Sequence, residues 1–261
     1  VEDVNKKELP KQAFITLLAT EDYLDAVLVL NESLKRTKNQ YPLIVAITDS
    51  IFSYEILDTL QLFNIPYVVI PRLEYSKGTI LSCQKRGWNT VLNTASKYSL
   101  FNLKYFDKLV YLDADSMVLQ NIDDLMNYKD GSMLWDPTEK AGFSASYVFS
   151  PINHCIEMYN ILSNNSLHVD GDLFSNLWFH LKDNPEYRIP LEYFEYFWGI
   201  NKENLDRIKA VHFVNDKKPW FIKRNLYPFN NAEQENILDK YYIILNNIKE
   251  IKNERFVKSG L

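Results

Sequence analysis

The alternation of apolar and polar stretches along the chain is that of an α/β protein. Residues 12–19, QAFITLLA, form an apolar, β-branched run that stops at Thr20-Glu21-Asp22 and predict a strand. From Tyr23 to about Lys35, Leu24, Val27, Leu28 and Leu34 recur at helical spacing, with Asp22 placed to cap. Residues 43–48 repeat the strand pattern, 54–63 the helical one, and 66–70 predict a third strand. Strands alternating with helices imply right-handed crossovers and a mostly parallel sheet. Between residues 71 and 89 the periodicity fades and a loop is expected; helix resumes from Thr90 to about Leu103.

The next apolar run organises the rest. In KLVYLDADSMV, residues 108–118, Leu109 to Leu112 run unbroken into two aspartates separated by one small residue. An unbroken run reads as a strand buried on both faces, which places Asp113 and Asp115 at its carboxyl end, where open α/β sheets bind ligands. Two carboxylates so close repel unless a cation lies between them, and a hard divalent ion bridging them to a phosphate-bearing ligand fits that demand. The alternative is a surface turn whose aspartates cap the next segment.

Beyond this point a turn into a short helix is expected at 121–125, a strand at 144–149, helices at 153–162 and 173–181, and a short strand at 210–214. LEYFEYFWGI, residues 191–200, has no clean period. The tail, about 230–255, is helical by the spacing of Ile237, Leu238, Tyr241, Ile244, Leu245 and Ile248, a face suited either to packing on the domain or to joining two copies as a homodimer. No repeat or linker interrupts the 261 residues, so one domain is expected throughout.

Composition narrows the function. Hydrophobic residues make up 46% and charged residues 24%, ordinary for a soluble globular protein, and no apolar run approaches the ~20 residues of a membrane span. A formal net charge of -5 argues against nucleic acid as a partner. The charged amino terminus and only two cysteines, Cys83 and Cys155, are those expected of a cytoplasmic protein with free thiols.

A second chemical stretch is HFVNDKKPW, residues 212–220. His212 ends the last predicted strand and offers a nitrogen that a transition metal such as manganese accepts beside carboxylates. Lys218, six residues on, offers a point charge for a phosphate. Asn215-Asp216 suits a tight turn between them, and Pro219 and Trp220 stiffen and wall the loop.

AFITL at residues 13–17, Tyr23 with the helix containing LVLNESLK, Lys97 sixteen residues before Asp113, YLDADSMVLQNIDDL and HFVNDKKPW resemble glycosyltransferase family 8, its glycogenin-like members in particular. The resemblance runs from Ala13 to Trp220. It implies a GT-A fold, Rossmann-like with a mostly parallel central sheet flanked by helices. It also implies a UDP-sugar donor and Mn2+, with Mg2+ the alternative, held by Asp113, Asp115 and His212. Leu17 and Ala19 are then expected to line the uridine site and Tyr23 to stack on uracil. Lys97, Ala114, Asn215 and Lys218 are expected at the donor, with Arg86 a further phosphate contact.

The chain departs from the family in three places, one of them Asn215 in place of a loop glycine, a change its backbone can tolerate. Phe143-Ser144-Ala145 stands where members read Asn-Ser-Gly, and Gly171-Asp172-Leu173 keeps the carboxylate but loses the amide of Asp-Gln. Asp172 is therefore the candidate catalytic carboxylate, with Asp170 its nearby substitute. The implied reaction is retaining transfer of a hexose, glucose first among them, to a hydroxyl of a glycan, polyol or protein. Tyr193 and Tyr196 stand where self-glucosylating members carry an acceptor, although with 17 tyrosines in the chain a packing role is the simpler reading. Phe143 and Leu173 also leave open a silent nucleotide-sugar binder.

Overall fold

The computed structural model describes residues 9–86, 90–154, 180–214 and 218–259. The apolar runs become its central strands. In β1 (Gln12–Leu18) only Gln12 is exposed, and β2 (Leu43–Thr48) is buried at every position. Strands so uniformly apolar must be covered on both faces. With β3 (Tyr67–Ile70) and β4 (Lys108–Leu112) they make a parallel block in which Phe14 lies opposite Leu43 on one side and Val110 on the other.

The sheet continues in mixed direction. β7 (Ala141–Phe149) runs antiparallel to β4, β6 (Met133–Asp136) antiparallel to β7, and β8 (Arg188–Pro190) parallel to β6. The order across the seven strands is β3-β2-β1-β4-β7-β6-β8. A three-stranded sheet lies beyond the end of β4: β5 (Ser116–Val118), β10 (Ala210–His212) and β9 (Glu195–Tyr196), in the order β5-β10-β9. The architecture is the expected one, a mostly parallel sheet flanked by helices.

Helices α1 (Leu24–Arg36) and α2 (Tyr54–Leu62) follow the predicted stripes. Asp22 does not cap α1: it lies in a 3-10 turn, Glu21–Tyr23, and Tyr23 occupies the cap position without a side-chain bond. The expected loop at 71–89 contains a helix, α3 (Lys77–Lys85), started by the Ser76 hydroxyl accepting from the Thr79 amide at 3.2 Å. It buries only Cys83, so its sequence carries no apolar stripe to betray it. Residues Thr90–Asn102 are 3-10 rather than α-helical. Every residue from Ala95 to Phe101 is buried, Lys97 included.

The last helix, α4 (Ala232–Ser259), is longer than predicted. Its six predicted apolar residues are buried in one cluster with Leu24, Val27 and Leu28 of α1. No helix among the described residues is long and apolar enough to cross a membrane.

Candidate active site

Where β4 ends, the Asp113 amide donates to the Ala145 carbonyl at 2.9 Å, tying the turn to β7. Two residues on, the Asp115 carbonyl accepts from the Phe213 amide at 2.9 Å, tying it to the end of β10. The Asp-Ala-Asp turn is thus held from both sheets, and His212, paired with Ser116, is delivered to it across the β5–β10 ladder. One ligand atom from each of Asp113, Asp115 and His212 lies within 4.8 Å of the others.

The four carboxylate oxygens divide their work. Asp113 Oδ1 accepts from the Tyr111 hydroxyl at 2.8 Å and meets Lys97 Nζ at 2.9 Å. Asp115 Oδ2 meets Lys218 Nζ at 2.5 Å. The remaining two, Asp113 Oδ2 and Asp115 Oδ1, face His212 Nε2 at 3.7 and 3.0 Å. Two inward oxygens and one imidazole nitrogen form the mixed donor set that suits a divalent ion such as manganese, so the residues fit the implied metal.

Burial and charge set the protonation of this cluster. Burial alone would raise the Asp115 carboxyl, but His212 and then Lys218 outweigh it and hold the group well below the usual carboxylate range. Burial, reinforced by the charge of Asp113, pushes the Tyr111 phenol far up, so it stays a hydrogen-bond donor. Lys218 is itself 5% exposed and also donates to the Phe213 carbonyl at 2.7 Å, so its charge is fixed in place.

A cleft of about 140 Å³ opens beside these groups. Of the predicted donor residues, Leu17, Ala19, Tyr23, Lys97, Ala114 and Lys218 line it together with Asp113 and Asp115. Tyr23 is braced edge-on by Trp220, ring centroids 5.0 Å apart, with Phe221 at 6.5 Å. The loop carrying Lys218 and Trp220 is held from α4, whose Tyr242 hydroxyl shares its proton between the carbonyls of Pro219 and Ile222, at 2.7 and 2.5 Å.

Other predicted residues fall elsewhere. Arg86 is exposed at the end of α3 and is not among the residues lining the cleft. Asp170, Asp172, Leu173 and Asn215 lie outside the described residues. Tyr193 is 6% exposed and donates to Asp124 at 2.5 Å, with Lys209 at 3.0 Å from its oxygen: a packing position. Tyr196 is half-buried beside His212, ring centroids 6.0 Å apart, with Phe143 set edge-on against its ring at 5.7 Å.

Sequence reasoning missed Thr20, Asn93, Thr94 and Tyr111 in the cleft lining. Tyr111 was open to discovery: it sits two residues before Asp113, and strand alternation sends both side chains to one face. Asn93 and Thr94 gave no such signal, because their place one turn before Lys97 depends on a 3-10 coil.

The sequence profile described as "Glycosyl transferase family 8" matches residues 14–140. Those residues belong to glycosyl transferase family 8. The match contains β1 from Phe14 onward, α1 and the Asp-Ala-Asp turn, and it ends before β7. Two relatives extend further: glycogenin-1 of Oryctolagus cuniculus is 28% identical over 227 residues, 80% of this chain and 65% of its own, and glycogenin-2 of Homo sapiens is 25% identical over 230 residues, 82% and 44%. The chain thus spans between under half and about two thirds of the length of these glycogenins. Among solved structures, the bifunctional glycosyltransferase WbbM without ligand superposes with a TM-score of 0.64 over 96% of this chain and 52% of its own. At 14% identity that likeness establishes a shared fold.

Proposed function

We propose that the protein is a retaining, manganese-dependent hexosyltransferase that moves a hexose, glucose first among them, from a UDP-sugar to an acceptor hydroxyl in α linkage. The observation that carries this reading is the pairing of each aspartate with both a lysine and the shared imidazole, at the rim of a cleft that Tyr23 walls. Breaking the anomeric bond of a UDP-sugar leaves positive charge on the sugar and negative charge on the diphosphate. A divalent ion held by Asp113, Asp115 and His212 supplies Lewis-acid stabilisation of that negative charge.

The chain's own groups do the rest. Lys97 and Lys218 hold fixed positive charge at the same rim, where the leaving group's charge develops. Tyr23, braced by Trp220, offers a ring face to the base, and Leu17 and Ala19 give the nucleoside an apolar bed. A retaining route through a covalent sugar would need a carboxylate nucleophile paired with an acid about 5 Å away. Our reading is instead front-face attack: the acceptor oxygen bonds to the anomeric carbon as the carbon–phosphate-oxygen bond breaks, and its proton passes to the departing phosphate. Asp172, with Asp170 beside it in sequence, orients the sugar in this scheme.

The position of Tyr196 beside His212 supports a second reading, in which its hydroxyl is the acceptor and the protein primes its own glycan. Tyr193, committed to Asp124 and Lys209, does not share that support. One experiment addresses both: intact-protein mass spectrometry with manganese and, separately, UDP-glucose and UDP-galactose, with released UDP measured in parallel. Released UDP supports transfer chemistry, and added hexose that vanishes in Tyr196→Phe supports self-glycosylation. UDP binding with no donor consumed across an acceptor panel would instead make the protein a silent nucleotide-sugar binder.

A further inference from the structure

The donor cleft is not the largest cavity in the molecule. Two others, about 470 and 580 Å³, adjoin each other and share Trp135, Pro137 and Arg188 in their walls. Both fall in the range of specific small-molecule sites. They lie around the turn that joins β6 to β7, toward the β8 edge of the sheet, with β4 and β7 between β6 and the β1 strand that carries Leu17.

Their walls mix apolar surface from Pro137, Pro190 and Leu191 with converging polar groups of both signs. The Arg188 guanidinium stacks 4.3 Å over Trp135 and is locked there by donating to the carbonyls of Leu181 and Lys182 at 2.8 and 2.7 Å. Glu192, Glu195, Asn204 and Arg207 border the first cavity, while Glu139, Lys140 and Lys182 border the second. Four cations face three carboxylates, so neither an acidic nor a basic ligand is favoured. A ligand with many neutral hydroxyls can both donate and accept here, and carbohydrate is the class that offers apolar ring faces along with them.

The cavities also neighbour the candidate active site. Tyr196, one residue from Glu195, packs on His212, and the charges of Asp136, Glu195, Asp113 and Glu139 all act on its hydroxyl. That side chain therefore stands between the metal-ligand cluster and the β6–β7 turn around which the cavities lie. Glu195 itself is half-buried, and burial, aided by Asp136, raises its carboxyl above the usual range. A carboxyl in that state readily serves as a partner for hydroxyl groups.

We propose that the paired cavities around Trp135 and Arg188 bind a neutral oligosaccharide, the part of a glycan acceptor that lies away from the reacting hydroxyl. This assignment rests on the transferase reading above, and it names glycan, rather than polyol, as the acceptor class. The test is an array of neutral and acidic oligosaccharides probed with the full chain in the presence of manganese and UDP, followed by calorimetric titration of the best-bound members. Arg207→Ala and Glu192→Ala, at exposed positions on the cavity wall, serve as variants, and their affinity for UDP with manganese is measured in parallel.

The expected result is retention of neutral oligosaccharides of three or more residues, with affinity at least tenfold lower in both variants while UDP affinity is kept. Retention of acidic glycans alone, no glycan bound, or binding unchanged in both variants would overturn the proposal. Failure of UDP to bind the wild-type protein would count against the transferase reading instead, leaving the glycan titration to decide this one.

Discussion

The two sides of the central sheet are built on different terms. On the nucleoside side, β1, β2, β3 and β4 are parallel and joined by helical segments, β1 and β2 are buried almost throughout, and Asp113 and Asp115 stand just beyond the carboxyl end of β4. On the other side, β6, β7 and β8 mix directions, and the residues nearest the site come from a two-residue strand and single 3-10 turns. The regular side holds its charged groups by strand register and by paired ions. The irregular side adds aromatic contacts to its hydrogen bonds: Tyr196 lies against Phe143, and Arg188 lies over Trp135 while donating to the Leu181 and Lys182 carbonyls. The difference suits a division of labour in which a constant donor meets fixed charge and a variable acceptor meets an adaptable surface.

The sharpest break of this contrast removes a charge from the regular side. Asp113→Asn keeps the shape of the turn and the acceptor for Tyr111 but loses one anionic ligand and neutralises the carboxylate that the almost fully buried Lys97 meets at 2.9 Å. UDP-sugar turnover is expected to fall by at least about a hundredfold, with manganese affinity falling alongside. Turnover is read by UDP release and metal affinity by electron paramagnetic resonance of free manganese. Activity unchanged in this variant would sink the metal assignment.

A smaller change asks whether Tyr111 sets the direction of Asp113. Its hydroxyl, with Lys97, occupies Oδ1 and so reserves Oδ2 for the side facing His212. Tyr111→Phe keeps the stacking on Tyr147, rings 4.8 Å apart, and removes only the hydrogen bond. Partners that orient a metal ligand are commonly worth 10- to 100-fold, and with Lys97 still in place about tenfold weaker manganese binding is expected. A drop in melting temperature with unaltered metal affinity would make Tyr111 a packing residue alone.

The same contrast explains how far the sequence was legible. The parallel strands, α1, α2, the face of α4 and the Asp-Ala-Asp turn are visible because each is a local pattern: an unbroken apolar run, a 3.6-residue stripe, or a run that stops at charge. His212 and Lys218 were readable as chemistry but not as neighbours of Asp115 until family resemblance supplied the pairing. β6, β8 and β9 escaped because none lies in an apolar run as long as those that mark the equally short β3 and β10, and β8 pairs with a strand far back in the chain. The cavities at Trp135 escaped for the same reason, since their walls come from β6, β8 and the 3-10 turn at Leu205–Arg207.

On the irregular side, pH provides a gentler probe. Burial tends to raise the Asp124 carboxyl, but hydrogen bonds from Lys209 and Tyr193 prevail and lower it. A carboxylate depressed in the folded state contributes stability at pH above its unfolded value, near 4, and that contribution is lost as pH falls through the folded value. Asp124 is half exposed, so water screens much of the pairing, and a contribution of roughly 0.2–1 kcal/mol is expected at neutral pH. Asp124→Asn, which keeps an acceptor for Tyr193, should lower neutral stability by that amount and flatten the acid limb below pH 4, as followed by urea unfolding. An acid limb identical to wild type would place the acid sensitivity elsewhere.

The least perturbing test targets Gly199. A Cβ added there would stand 2.6 Å from Glu195 Oε1, the atom that accepts from the Tyr196 amide at 3.0 Å. The obstacle is the mobile end of a long side chain, so Gly199→Ala should displace the Glu195 carboxylate rather than the fold. Stability is expected to change by no more than about 0.5 kcal/mol, because the alanine also lowers the freedom of the unfolded chain. Displacing the carboxylate removes its bond to the amide and re-aims it within the cavity wall, so oligosaccharide affinity should shift several-fold while UDP affinity holds. If both affinities moved together, the two sides of the sheet would be coupled through Tyr196 and His212, and the division between fixed donor site and adaptable acceptor surface would have to be given up.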